Sequence, residues 1–160
     1  MHESSYNEMK VNLDKYAKGL VADIGSMSKN GAKTYRDFMK RYSGIEYIGI
    51  DIESGPNVDI VMTGPYTIPL DDNSVDTVIS GQCLEHVNNP FKLVLESARI
   101  LKQGGYMLLT APFQWREHKY PIDTFRYLPD GMRALMEEAG MTVIKTYLNQ
   151  NDCWGIARKP

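Results

Sequence analysis

Two histidines, His86 and His118, lie outside the N-terminal tail of this 160-residue chain, and each stands beside residues that handle protons or charge. His86 follows Glu85 in the stretch CLEHV, and His118 stands in WREHKYPIDTFRYLPDG with Asp123 and Arg126 downstream. A free imidazole titrates at about 6.5, which suits proton removal near neutrality. Asp123 and Arg126, three apart, either orient His118 and a polar ligand or form a local ion pair that stiffens the segment. His86 has two readings of equal weight: a proton acceptor, or a side chain that caps or packs against the helix after it. His118 is the preferred base, in a segment dense in aromatic, charged and proline residues.

A second group of residues has the marks of a nucleoside site. The stretch VADIGSMSKNG runs from an apolar strand through Asp23 and Ile24 to Gly25 and Ser26, and ends in Asn30-Gly31. Gly25 permits close backbone approach, while Asn30 and Gly31 tolerate positive φ. Asp51 ends the next strand, where a carboxylate can accept both hydroxyls of a ribose. Met27 and Ser28 occupy positions where a dinucleotide loop carries further glycines, so tight pyrophosphate binding is not expected. A nucleoside cofactor without phosphate, such as S-adenosylmethionine, meets these constraints.

These residues need a scaffold that brings strand ends together. Short β-rich runs alternate with helical patterns, the signature of a parallel sheet covered by helices. The expected helices are Tyr6 to Lys18, Ala32 to Tyr42, Pro90 to Leu101 and Asp130 to Ala139. The expected strands are Leu20 to Ile24, Glu46 to Asp51, Val58 to Val61, Val75 to Ser80, Tyr106 to Ala111, Thr142 to Tyr147 and Cys153 to Arg158. Pro90 can open a helix, and Gly104-Gly105 and Gly140 can close helices. Asn149-Gln150-Asn151 suits an antiparallel hairpin at the sheet edge. The expected architecture is a Rossmann-like, doubly wound, mostly parallel seven-stranded sheet with the last strand antiparallel. Only ESGPN and GPYT follow the second and third strands, so helices there are minimal and the site is shallow on that side.

One domain over residues 1–160 is expected, with an N-terminal helical segment at 1–18 and a substrate or lid segment at 112–129. A chain of this size buries roughly two thirds of its unfolded surface. Lys plus Arg total 18 against 20 Asp plus Glu, and the net charge of −2 gives no general attraction to phosphate backbones or anionic membranes, so a nucleic-acid partner is not implied and no membrane partner is expected. No run has the ~18 apolar residues of a membrane span, and MHESSYNEMK has no basic start or apolar core, so a cytoplasmic location is expected. Cys83 and Cys153 are isolated and read as small hydrophobes in a reducing compartment.

Four further stretches, YIGIDIESGPNVDIV, YTIPLDDNSVDTVIS, GQCLEHV and RILKQGGYMLLTAPF, follow in order. With them the chain resembles class I S-adenosylmethionine-dependent methyltransferases, in the compact subgroup whose first loop reads GSxxxNG. The resemblance implies that the Asp23 to Ser26 backbone holds the methionine end, with Asn30 in the same loop. It implies that Asp51 holds the ribose, Ile52 flanks the adenine, and Tyr66 and Ile68 cover its other face. Gln82 falls near the methionine moiety, and HxYPxDxxR matches His118, Tyr120, Pro121, Asp123 and Arg126. The implied activity is methyl transfer to a small-molecule acceptor, such as a sugar or glycan precursor, at an oxygen that benefits from a base. Two alternatives stay open: a cofactor-binding partner subunit without catalysis, and a nucleotide-linked oxidoreductase, which the missing GxGxxG opposes. Glu85, His86 and His118 could also hold a divalent metal, but Gln82 offers an amide where a first acid would stand, so no metal ligands are expected.

Overall fold

Residues 3–29 and 31–160 are described by the computed structural model. The elements are α1 (Glu3–Tyr16), β1 (Leu20–Ile24), α2 (Tyr35–Met39), β2 (Glu46–Asp51), β3 (Ile60–Val61), β4 (Val75–Gly81), α3 (Pro90–Ile100), β5 (Leu101–Pro112), α4 (Pro129–Glu138), β6 (Thr142–Asn149) and β7 (Asp152–Arg158). A short 3-10 turn, Leu84–His86, follows β4. No helix among the described residues is long and apolar enough to cross a membrane.

The seven strands order β3-β2-β1-β4-β5-β7-β6. Strands β1 to β5 pair in parallel, whereas β7 runs antiparallel to both β5 and β6. The reversed strand is thus slotted inside the sheet, and β6 forms the edge. Alternation along β1 sorts the two faces, as a pleated strand requires. Val21 joins a core with Leu13, Phe38, Ile79 and Trp154 beneath α1 and α2, and Ala22 and Ile24 join the opposite core with Leu93, Ala98, Met132 and Leu135 beneath α3 and α4.

Several expected boundaries move. The second helix shrinks to Tyr35–Met39, because Thr34 is extended (φ −115°, ψ 155°) and Gly31 takes φ +68°. The first helix starts at Glu3 and stops before Gly19, which sits at φ +54°. Gly104 and Gly105 do not close α3, which ends at Ile100; they shape the irregular start of β5, with Gly104 at φ +73°. A Cβ on Gly105 would meet the backbone oxygens of Lys102 at 2.8 Å and Asp76 at 2.9 Å, so this bend accepts only glycine without a shift. No helix follows β2 or β3.

Candidate functional site

Strand order reverses between β1 and β4, and in a doubly wound sheet that crevice receives ligands. Its two lips touch: Gly25 (φ +79°) lies so close to the turn after β4 that a Cβ there would be 2.5 Å from Cys83 Sγ. The loop after β1 has few glycines because its donors are already used. Gly25 and Ser26 N–H donate to Ile50 O (2.9 and 3.1 Å), Met27 N–H to Asp51 Oδ2 (2.9 Å) and Ser28 N–H to Pro56 O (2.9 Å). Four consecutive amides turned inward leave no cradle for a pyrophosphate in this stretch. Ser26 Oγ donates to Asn57 O (3.2 Å), and Asn57 Nδ2 returns a bond to Ser26 O (2.8 Å). Asn30, expected in the same loop, lies outside the described residues.

Asp51 is half-buried at the end of β2, where its Oδ1 accepts from Ile52 N–H (2.8 Å). Asp23 is buried and accepts from Tyr47 Oη at 2.5 Å. Burial pushes its carboxyl up to about 7 against the Tyr47 bond, and the nearby Asp51 charge pushes the same way. Ile52 is 51% exposed beside Asp51, available to a flat ring, and Tyr66 is half-buried. Ile68 departs from expectation: it is 1% exposed and packs in the core, so it backs the site without lining it. Gln82 takes φ +58°, a left-handed conformation that costs a non-glycine residue of order 1 kcal/mol. Its amide Nε2 donates to Asp152 Oδ1 (3.0 Å), which fixes the side chain at the crevice.

Beyond Cys83 the turn carries Glu85, which is 0% exposed. Burial pushes its carboxyl up to about 7, opposed in part by its own amide N–H. The Cys83 thiol is raised by burial and then by Glu85, Asp51 and Asp23, so carboxyl groups border the crevice on several sides, and a bound cation would favour their ionised forms. The segment 113–128 folds back over this turn: Thr124 N–H donates to Glu85 O (2.7 Å) and Tyr127 Oη to Leu84 O (2.9 Å). It brings His118 against His86, with ring centroids 4.9 Å apart, and Tyr120 against both. The Lys29 ammonium lies 5.0 Å from the Tyr120 ring centre, joining the first loop to this segment.

Asp123 anchors the segment. Its side chain, 2% exposed, binds Arg126 through both guanidinium nitrogens (2.5 and 2.8 Å) and accepts the His118 N–H (2.7 Å). The Arg126 bonds hold its carboxyl well below the usual range. Burial lowers the His86 imidazole below its ordinary value, opposed by the Ile122 carbonyl. The expected trio of His118, His86 and Asp123 is therefore in one place, with the Asp123 carboxylate taken up by Arg126 and the His118 N–H.

Three site residues escaped the sequence reading. Asp152 is buried and linked to Gln82, and Ser5 Oγ of α1 donates to its other oxygen. Tyr35, at the start of α2, packs its ring against Gly81, whose added Cβ would meet Tyr35 Oη at 2.7 Å. The acid after the Asn-Gln-Asn hairpin was the available signal for Asp152; nothing local marked Ser5 or Tyr35.

Residues 22–109, more than half of the chain, match a family described as a methyltransferase domain. An uncharacterized methyltransferase of Mycobacteroides abscessus is 30% identical over 99 residues, which are 56% of this chain and 38% of that protein. The chain thus spans well under half the length of the curated relative it matches. A SAM-dependent methyltransferase structure from Aquifex aeolicus superposes with TM-score 0.71 at 20% identity, covering 93% of this chain and 87% of that one. A chain in the complex between the Haloferax volcanii Trm112 methyltransferase activator and a methyltransferase superposes with TM-score 0.76 at 18% identity, covering 99% and 90%. At these identities the superpositions speak for the fold.

Proposed function

The chain belongs to the methyltransferase-domain family and shares its fold with a SAM-dependent methyltransferase, and we propose that it moves a methyl group from S-adenosylmethionine to an oxygen of a small acceptor, of the sugar or glycan type. The carrying observation is the chemistry of the crevice: the first loop turns its amides inward, and Asp23, Asp51 and Glu85 gather around Cys83. Such a site favours a cofactor that is cationic and lacks phosphate, and S-adenosylmethionine has a sulfonium, an ammonium and a ribose diol.

In this reading Asp51 takes the ribose hydroxyls, and Ile52 and Tyr66 flank the adenine. The Asp23 to Ser26 backbone borders the methionine end, with Gln82 held there by Asp152. The acceptor oxygen attacks in line with the carbon–sulfur bond. A carbon–oxygen bond forms as the carbon–sulfur bond breaks, the electron pair goes to sulfur, and the acceptor proton leaves toward the His86–His118 cluster. Alignment supplies much of the rate, since a well-oriented pair avoids several kcal/mol of entropic cost. The exposed Tyr120 ring at the rim suits stacking on a sugar face.

Calorimetric titration with S-adenosylmethionine, S-adenosylhomocysteine and NAD tests the cofactor. Binding of the first two and not the third is expected. Transfer of labelled methyl into a panel of hydroxylated small molecules then tests the reaction. Cofactor binding without any transfer across sugars, phenols and alcohols would replace the reading with that of a non-catalytic partner subunit.

A further inference from the structure

Among the described residues, Glu85 is a fully enclosed acid whose two carboxylate oxygens receive no hydrogen bond from any other residue. An unpaired buried carboxylate is costly and calls for a partner. Two imidazole nitrogens face it: His86 Nε2 is 3.7 Å and His118 Nε2 3.8 Å from Glu85 Oε1. The remaining ring nitrogens are already committed. His86 Nδ1 lies 2.6 Å from Ile122 O, which can only accept, so Nδ1 carries the proton and a neutral His86 aims its Nε2 lone pair at the cluster. His118 Nδ1 is 3.1 Å from Arg116 O and 3.4 Å from Asp123 Oδ2, the same arrangement.

Three lone-pair atoms therefore converge, within 4.8 Å of one another. A shared proton does not join them, because hydrogen bonds close at about 2.6–3.2 Å. Arg126 is turned to Asp123 and to the carbonyls of Trp115 and Arg116. A cation between the atoms removes the conflict. Ligand bonds of about 2.1 Å opened to about 120° separate two donors by about 3.6 Å, close to the two Glu85–imidazole distances; the three atoms lie within 4.8 Å of one another, and an ion draws the two imidazole nitrogens to within about 4.2 Å, twice the bond length. Imidazoles whose far N–H meets a carbonyl or carboxylate are also the usual surroundings of a metal-bound histidine.

We propose that Glu85, His86 and His118 bind one divalent transition-metal ion, of the zinc, cobalt or iron class, with coordination left open toward the crevice. Two nitrogen donors and one oxygen suit such borderline ions, whereas magnesium and calcium prefer oxygen sets. The ion ties the 113–128 segment to the turn after β4. With the ion bound, both Nε2 lone pairs are spent on it, and the ion would acidify an acceptor hydroxyl at the open position in place of direct proton removal by either histidine; that consequence alone rests on the proposed reaction.

The test is titration of the chelator-treated full chain with Co²⁺ without cofactor or acceptor, followed by visible absorption and thermal melting. One equivalent per chain is expected, with a raised melting temperature, displacement by Zn²⁺ and no displacement by millimolar Mg²⁺. Glu85→Gln and His118→Gln should each weaken Co²⁺ binding by at least about tenfold, and His2→Gln should leave it unchanged. Glu85→Gln removes an unpaired buried acid and should fold; if it does not, His118→Gln in the more exposed segment reads the same site. No stoichiometric Co²⁺ binding, or binding that survives both substitutions, overturns the proposal. Because the titration uses neither methyl donor nor acceptor, its failure and a failure of the transfer reaction are seen separately.

Discussion

Replacing Asp51 with alanine should weaken S-adenosylhomocysteine binding about 30- to 150-fold. A carboxylate offers roughly four acceptor positions. In Asp51 the Met27 N–H takes one on Oδ2 (2.9 Å) and the Ile52 N–H one on Oδ1 (2.8 Å), while the Glu53 N–H reaches Oδ1 only at 3.5 Å, so a ribose hydroxyl meets a free lone pair on Oδ2 and displaces one long contact on Oδ1. Hydrogen bonds to a charged acceptor contribute about 1.5–3 kcal/mol each when well buried. Asp51 is only half-buried, so the low end applies and the pair is worth about 2–3 kcal/mol, which at 1.4 kcal/mol per decade gives the stated factor. Alanine also frees the Met27 N–H, but water can reach that amide, and the stability loss should stay near 1 kcal/mol. Calorimetry at fixed salt reads the affinity, and circular dichroism with thermal melting verifies the fold. A folded variant whose affinity lies within threefold of wild type would remove Asp51 from the cofactor site.

Gly25→Ala should lower stability by about 2–5 kcal/mol, from the left-handed φ of +79° and from a Cβ set 2.5 Å from Cys83 Sγ; a wild-type urea midpoint would show that the two lips of the crevice do not touch. His118→Asn should cut turnover about 10²- to 10⁴-fold with cofactor affinity nearly intact, since proton removal matters only as the acceptor attacks; near-normal turnover would take His118 out of the reaction. Asp23 sets a pH dependence. Its folded carboxyl titrates at about 7 because it is buried, against roughly 4 unfolded. Between those values the folded chain keeps a proton the unfolded chain has lost, so this contribution to stability is full below about pH 4 and is lost as pH rises through 7. Asp23→Asn, whose side-chain carbonyl can still accept from Tyr47, should flatten that slope and raise stability at pH 8 by up to about 4 kcal/mol; an unchanged slope in urea melts from pH 5 to 8 would refute the assignment.

Much of the scaffold was legible because it is written in local periodicity. The runs Leu20–Ile24 and Glu46–Asp51 appear in the structure with the expected bounds, since a buried parallel strand needs only a short apolar stretch ended by turn residues. Gly25 and Asp51 stand at the ends of these strands for the same reason, in the places where this fold class directs a ligand. The short α2 was not legible, because its apolar spacing continues past Thr34 and Met39 while tertiary contacts decide where the backbone turns.

The chain by itself determined the alternation of strands and helices, the phosphate-poor first loop and the acid that ends the second strand, because these depend on residue types a few positions apart. Only the tertiary structure decided what those residues face. Insertion of β7 beside β5 carries Asp152 to the crevice to hold Gln82, and the core takes Ile68 away from it. The folding of segment 113–128 onto the turn after β4 encloses Glu85 between two imidazoles. Burial and convergence arise from contacts between residues far apart in sequence, and they turn an ordinary CLEHV stretch into a site able to hold a cation.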